Sequence, residues 1–233
     1  MIRIDKELSS AAEVVQKAKV SLDHQKSLEK GNYNTEEVVN ALNIVFHGKC
    51  YLCENKLATS IEIEHLRPCK NDIDKKFDWE NLFLSCRHCN NIKSSHYEHL
   101  LDCSKVDVDQ KIAFRRKGSY LNKDQEIEIS PLSDEPEVLE TVDLLRKVYH
   151  GTTPQKKLES NKLKEILTEE LIKFIRQIDL YEESIGEDKE DARLNIIAQL
   201  KPNSPFAAFK RWIIRDQSLY LPDIKSEYIP EIR

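Results

Sequence analysis

The 233-residue sequence lacks any apolar run that approaches the roughly 20 residues needed to cross a bilayer. Its N-terminus also lacks the pattern of a secretory signal peptide, so we expect a cytoplasmic protein. An excess of positive charge is missing too, because 36 basic residues face 41 acidic ones and give a net charge of −5. The chain therefore has no global positive field of the kind that marks many nucleic-acid binders, although bulk charge excludes no local site.

The length allows either one large domain or two smaller ones, and we expect two lobes. The predicted division is an N-terminal helical segment at 1–46, a central domain at 47–120 and a C-terminal helical lobe at 121–233. The central segment is the least acidic of the three. The candidate motifs described below lie in this segment, and we expect the helical lobe to dock a partner.

Four of the six cysteines form two C-x2-C pairs, Cys50 with Cys53 and Cys86 with Cys89. In a chain without an export signal such pairs predict metal binding rather than disulfides, and four thiolates favour one tetrahedral zinc ion. A closed site of this kind has no open coordination position, so the zinc is predicted to be structural. Cys69 and Cys103 stand alone, and we assign them no role.

The segment between the cysteine pairs has the pattern of a compact ββα unit. Ile61 and Ile63 alternate with glutamates as in a short strand, Leu82 to Leu84 predict a second strand, and a short helix should begin near Arg87. The predicted fold class is α+β, with this unit flanked by helices on both sides.

Helical spacing and capping residues predict the flanking elements. Ser10 should cap a helix running towards Leu28, and Thr35 should cap a second helix ending near Gly48. Residues 97–133 look irregular, apart from a strand over 126–129. Beyond them the periodicity predicts helices near 134–149, 154–184 and 187–200, and a last one after Pro205.

Three side chains of the central segment suit phosphodiester hydrolysis, which needs an activated water and a cation near the phosphate. His65 has a pKa range suited to taking a proton from water near neutral pH. Glu64 and Asn90 offer hard oxygen ligands for Mg²⁺ or Mn²⁺. The alternative is that an isolated histidine is an ordinary surface or core residue.

In these motifs the chain resembles the HNH, or ββα-metal, nucleases in their four-cysteine zinc-bearing form. Glu64-His65 with Pro68 resembles the first motif, Asn81 the middle one, and Asn90 with Lys93 the last. The resemblance implies that His65 is the general base, that Glu64 and Asn90 bind the catalytic metal and that Asn81 holds the loop positioning His65. Many members have Asp in place of Glu64 and His in place of Asn90, which leaves the choice of metal open.

Basic residues near these motifs are candidate contacts to nucleic acid, namely Arg67, Arg87 and Lys93. Each could instead be an ordinary solvated charge, and so could the run from Arg115 to Lys117. We expect phosphate or solvent contacts for His88 and His96 rather than catalysis. The expected substrate is DNA, with RNA, including tRNA, as the alternative.

The segment from Ser204 to Asp216, with Leu101-Asp102-Cys103, resembles PtuB-type nucleases. These pair with an ATPase, PtuA, in Septu anti-phage defence, and some belong to retron systems. The resemblance implies an ATPase partner and, in a retron, a reverse transcriptase with its DNA. The apolar stripe of Phe206, Phe209, Trp212 and Ile213 could be core or a docking surface, and the rival function is a non-catalytic zinc module that binds nucleic acid or protein.

Overall fold

The computed structural model describes residues 1–56, 58–118, 126–216 and 224. Its α-helices are α1 (Ala12–Lys26), α2 (Glu36–Val45), α3 (Ile73–Phe77), α4 (Arg87–Lys93), α5 (Val108–Lys111), α6 (Pro136–His150), α7 (Pro154–Glu183), α8 (Gly186–Leu200) and α9 (Ala207–Asp216). Its strands are β1 (Ile61–His65), β2 (Leu82–Cys86), β3 (Ile112–Lys117) and β4 (Glu126–Pro131). This mixture confirms the predicted α+β class. Among the described residues no helix could cross a membrane.

The first two strands and α4 form the predicted ββα unit. β1 and β2 are antiparallel, with Ile61 opposite Cys86 and His65 opposite Leu82. β2 is buried throughout, which explains its run of apolar residues, and α4 follows it directly. The register sets the zinc cysteines at one end of the hairpin and His65 at the other.

The N-terminal helices cover the buried side of this unit. α2 begins as predicted, because the Thr35 side chain accepts a hydrogen bond from the Val38 amide at 3.5 Å. Phe46, just after α2, packs on Phe83 of β2 with ring centroids 5.4 Å apart. The predicted Ser10 cap of α1 is wrong, because a short 3₁₀ turn over Ser9–Ala11 leads into the helix and makes Ala11 its N-cap.

Part of the 97–133 region, expected to be irregular, forms a β-hairpin. β3 pairs with β4 in antiparallel register, so the basic run lies on a strand. Arg115 forms a two-pronged ion pair with Asp216, at 2.8 and 2.9 Å, and Lys117 pairs with Glu128 at 3.0 Å. Arg116 donates to Thr168 and to the Gly118 carbonyl. These internal partners favour a structural role for the run.

The C-terminal helices lie close to their predicted positions. Phe206, just before α9, and Phe209 and Trp212 of α9 belong to the main hydrophobic core, with Trp212 only 3% exposed. The Trp212 indole nitrogen donates to the Asp109 and Ile112 carbonyls at 2.9 and 3.0 Å. Three of the four residues of the stripe are therefore interior and Ile213 is half-buried, which contradicts the use of the aromatic residues as a docking surface.

The main hydrophobic core is shared by all three predicted segments. It takes residues from α1 and α2, from the ββα unit and from α6, α7 and α9. A smaller cluster joins Phe174 and Ile178 of α7 to Ile196 of α8 and Ile214 of α9. The β3–β4 hairpin crosses the expected boundary near residue 120, and the three-part division remains a prediction.

Candidate active site and metal centre

The four cysteines of the two pairs converge on one point. Their sulfur atoms all lie within 4.8 Å of one another and all four residues are buried. The Sγ atoms of Cys53 and Cys86 are 3.9 Å apart. Tetrahedral coordination with Zn–S bonds of about 2.3 Å requires sulfur atoms about 3.8 Å apart, so the donor set and its spacing fit zinc.

Glu54 connects the first zinc knuckle to the C-terminal helix. This buried residue follows Cys53 with φ of 60°, and its carboxylate accepts the Ala208 amide of α9 at 2.9 Å. Its own carbonyl accepts the Phe206 amide at 3.4 Å. Lys49 adds a bond to the Ser204 carbonyl at 2.9 Å. The knuckle is therefore part of the packing of α9.

His65 lies at the end of β1 with one ring nitrogen already in use. Its Nε2 is 3.0 Å from the Lys76 carbonyl oxygen, and since a carbonyl only accepts, Nε2 carries the proton. Nδ1 is then the basic nitrogen. The Tyr33 ring stands almost perpendicular to the imidazole, with centroids 4.7 Å apart. Together these contacts fix the tautomer and the orientation of the ring.

Burial lowers the pKa of His65 below its ordinary value. The hydrogen bond to the Lys76 carbonyl acts in the opposite direction, whereas the charges of Lys93 and Lys76 lower the pKa further. A neutral imidazole near pH 7 is the form that can accept a proton.

Asn81 closes the loop between β1 and β2. Its side-chain oxygen accepts the Arg67 amide at 2.7 Å, and its side-chain nitrogen donates to the carbonyls of Arg67 and Lys75 at 2.9 and 3.0 Å. The loop segment that includes Lys76, the acceptor for His65, is thereby tied to β1. This geometry suits the loop-holding role that the resemblance implies.

Lys93 occupies a different place from the one its sequence position suggested. It has no exposed surface, and its Nζ donates to Glu64 at 2.6 Å and to the His65 carbonyl at 2.8 Å. The ammonium is thus enclosed between β1 and α4, which contradicts the expected contact with a phosphate. Burial raises the pKa of Glu64 above its ordinary value, and the charge of Lys93 opposes this shift.

Asn90 pairs with a residue that sequence reasoning did not select. Its Nδ2 donates to Glu62 at 2.5 Å, which leaves the amide oxygen as the atom that could bind a cation. Glu62 and Glu64 share one face of β1, and Asn90 and Lys93 are three residues apart on α4. The two-residue alternation of β1 is the signal that could have identified Glu62.

A catalytic Mg²⁺ would find few protein ligands here. In the described parts of the chain, the four cysteines are the only group of three or more histidine, cysteine or acidic ligands close enough to share an ion. Glu64 and the Asn90 oxygen fit Mg²⁺ as a pair, because this ion commonly takes one or two protein oxygens and fills its other positions with water and phosphate. The ion would share the Glu64 carboxylate with the Lys93 ammonium group. A pocket of about 390 Å³, lined by Tyr33, Glu62 and Asn90, lies beside these groups.

The remaining candidates are spread around this centre. Arg67 donates to the Glu98 carbonyl at 2.7 Å, while the Arg87 side chain is 70% exposed and 3.7 Å from Glu62. His88 bonds to the Val148 carbonyl at 2.9 Å and to Glu159 at 2.7 Å, so it joins α4 to α6 and α7. His96 is exposed. Cys103 is fully buried, and burial raises its thiol pKa to about 12, as suits a small core residue.

Comparison with known proteins agrees with this geometry. Residues 50–96 match the family model described as HNH endonuclease, so this stretch is similar to HNH endonuclease domains. Septu protein PtuB of Bacillus mycoides (strain KBAB4) is 33% identical over 81 residues, covering 28% of this chain and 27% of that protein. The match therefore spans about a quarter of the relative's length. No solved structure matches the chain significantly.

Proposed function

We propose that this chain is a metal-dependent endonuclease that hydrolyses phosphodiester bonds in nucleic acid. The observation that carries the proposal is His65, which is held in one tautomer with a basic Nδ1 inside the segment that matches HNH endonucleases. Glu64 and Asn90 project from β1 and α4 of the same unit. A general base next to two hard oxygen ligands is what metal-assisted hydrolysis requires.

In the proposed mechanism His65 takes a proton from water at Nδ1. The water oxygen forms a bond to phosphorus as the P–O3′ bond breaks, and the leaving 3′ oxygen takes a proton from solvent. Glu64 and Asn90 would hold Mg²⁺ or Mn²⁺, which when bound supplies positive charge at the phosphate and leaving oxygen. The Lys76 carbonyl stabilises the imidazolium through its bond with Nε2. As the resemblance implies, the products carry a 5′-phosphate and a 3′-hydroxyl.

His65→Ala tests this proposal directly. Removing the general base should lower the cleavage rate about 10²–10⁴-fold, while zinc content and circular dichroism stay unchanged. His24→Ala is the matched control, because His24 is exposed on α1 and lies outside the stretch that matches HNH endonucleases. If His65→Ala cleaves at the wild-type rate, the mechanism is wrong. A wild-type chain that binds nucleic acid without cutting it would favour the non-catalytic zinc module.

The biological role we propose is the nuclease of an anti-phage defence system, paired with an ATPase. The similarity to a Septu protein supports this proposal. DNA is the favoured substrate, with RNA as the alternative, and a retron reverse transcriptase with its DNA is a further candidate partner. Co-purification of the tagged chain from its native host tests the pairing. Recovery of the chain without an ATPase would count against it.

A further inference from the structure

A cleft lies between the ββα unit and the first turns of α7. It has a volume of about 770 Å³, within the range of ligand-binding pockets. One wall is formed by Ser60, Arg87 and Asn91, and the other by Gln155, Lys156 and Lys162. The HNH match ends at residue 96, so the α7 wall lies outside it.

The charge of this cleft favours an anionic ligand. Its lining carries Arg87, Lys156 and Lys162 against a single carboxylate, Glu159. The Lys162 side chain is 73% exposed and pairs with the 60% exposed Glu165 at 3.3 Å. An exposed pair of this kind is weak, so Lys162 can exchange Glu165 for another anion at little cost. Lys156 is more enclosed and bonds to Glu159 at 2.7 Å.

The cleft and the candidate active site lie on neighbouring faces of α4. At 3.6 residues per turn, Arg87 lies about 60° from Asn90 and about 40° from Asn91 around the helix axis. Asn90 faces Glu62 and the site, Asn91 faces the cleft, and Arg87 stands between them. Arg87 also lies 3.7 Å from Glu62. A nucleic-acid strand that runs from Asn90 past Arg87 would therefore be directed towards Lys156 and Lys162.

We propose that this cleft binds the phosphate backbone of the nucleic acid on the zinc side of the bond that is cut, through Arg87, Lys156 and Lys162. The inference rests on the proposed function. Binding in this cleft would give the first turns of α7 a role in holding substrate. Because lysine contacts to phosphate carry no sequence information, binding through these residues is independent of base sequence.

The test measures binding and cleavage separately. In a His65→Ala background, which keeps the probe intact, fluorescence anisotropy measures the affinity for a labelled DNA duplex over a range of salt concentrations. The double substitution Lys156→Gln/Lys162→Gln should lower the salt slope by about 2 and weaken binding at low salt by at least about tenfold. A second duplex of unrelated sequence should give the same loss.

The matched control is Lys157→Gln/Lys164→Gln, which removes the same charge from the same helix but from outside the cleft lining. This control should change the salt slope of duplex binding much less than Lys156→Gln/Lys162→Gln does. Equal slopes in the two double variants, or no duplex binding at low salt, would overturn the inference. The single variant Lys162→Gln changes an exposed side chain and should not disturb folding. A loss of affinity in this variant is therefore not a folding defect. Cleavage by the wild-type chain and by His65→Ala decides the proposed function independently of these slopes.

Discussion

Buried lysines recur in this protein, and each one has oxygen partners. Lys6, Lys49, Lys93 and Lys210 are all at most 3% exposed. Lys6 donates to the Trp79 carbonyl at 2.6 Å, and its ammonium lies 4.4 Å from the centre of the Phe83 ring. At Lys6 such contacts only partly replace hydration, so burial destabilises its charged form and lowers its pKa. The stability of the folded protein therefore depends on pH in a range where most surface lysines do not titrate.

Lys6→Met measures this dependence. Burial lowers the pKa of Lys6 from 10.5 to about 8, so between these values the unfolded chain keeps a proton that the folded chain has lost, and wild-type stability rises with pH. The variant lacks this group. Its free energy of unfolding, relative to wild type, should fall by about 2 kcal/mol between about pH 7.5 and 9.5. Urea titrations at both pH values check this, and a constant difference would contradict it.

Residue roles near the site could be predicted only in part. The types and spacing of the four cysteines were sufficient to predict their cluster. The burial of Lys93 was not predictable, because its partner Glu64 is 29 residues away and lysine is usually solvated. The same applies to His88, whose bonds to Val148 and Glu159 depend on how α6 and α7 pack.

At the scale of elements, α9 is attached by its aromatic residues. Trp212 is covered by the guanidinium groups of Arg115 and Arg215, 4.6 and 5.3 Å from its ring centre. Its indole nitrogen donates to one carbonyl within α5 and to another just after it. Asp109, fully buried in α5, pairs with Arg215 at 2.8 Å and with Arg211 at 3.3 Å. The helix is therefore held by both apolar packing and buried ion pairs.

Trp212→Ala should destabilise the fold. Loss of a buried Trp side chain costs about 3–5 kcal/mol through lost packing and the cavity left behind. Ile185→Ala is the control, because Ile185 is 87% exposed and should change stability by less than about 0.5 kcal/mol. Chemical denaturation measures both variants. A Trp212→Ala protein of wild-type stability that failed to bind its partner would restore the docking interpretation.

The long helices were predictable because their apolar positions repeat over many turns and caps mark their ends. Thr153, for example, caps α7 by accepting the Lys156 amide at 3.2 Å. β3 was missed because its short apolar start runs into three basic residues. Their partners include Glu128 on β4 and Asp216 on α9, far along the chain. The sequence of such a strand contains no local pattern that identifies it as a strand.

For the whole molecule, zinc should stabilise regions beyond the ββα unit. Metal analysis should find about one zinc per chain, because four thiolates saturate a tetrahedral ion. Removing it with a chelator should lower hydrogen-exchange protection in α4 and also in α9, since Glu54 connects the knuckle to the Ala208 amide. Cys86→Ser should have the same effect.

The internal control is residues 175–195, the part of the α7–α8 pair that lies away from the zinc site. This part should keep its hydrogen-exchange protection when α4 and α9 first lose theirs. If α9 stays protected while α4 opens, the Glu54 connection does not couple these elements. If the zinc-free chain is fully protected, the four cysteines do not hold a stabilising ion.

Because α7 contributes to two hydrophobic clusters, its structure limits which insertions and deletions the gene can tolerate within this helix. This 30-residue helix spans about 45 Å and contributes Leu163, Leu167 and Leu171 to one hydrophobic cluster and Phe174 and Ile178 to the other. Inserting one residue between Leu171 and Phe174 would rotate the second set by about 100° and turn it away from α8 and α9. A seven-residue insertion would rotate it by only about 20° while lengthening the helix by about 10 Å. Among homologous genes, length changes within this helix should therefore favour numbers of codons that keep the rotation small, such as seven or eleven.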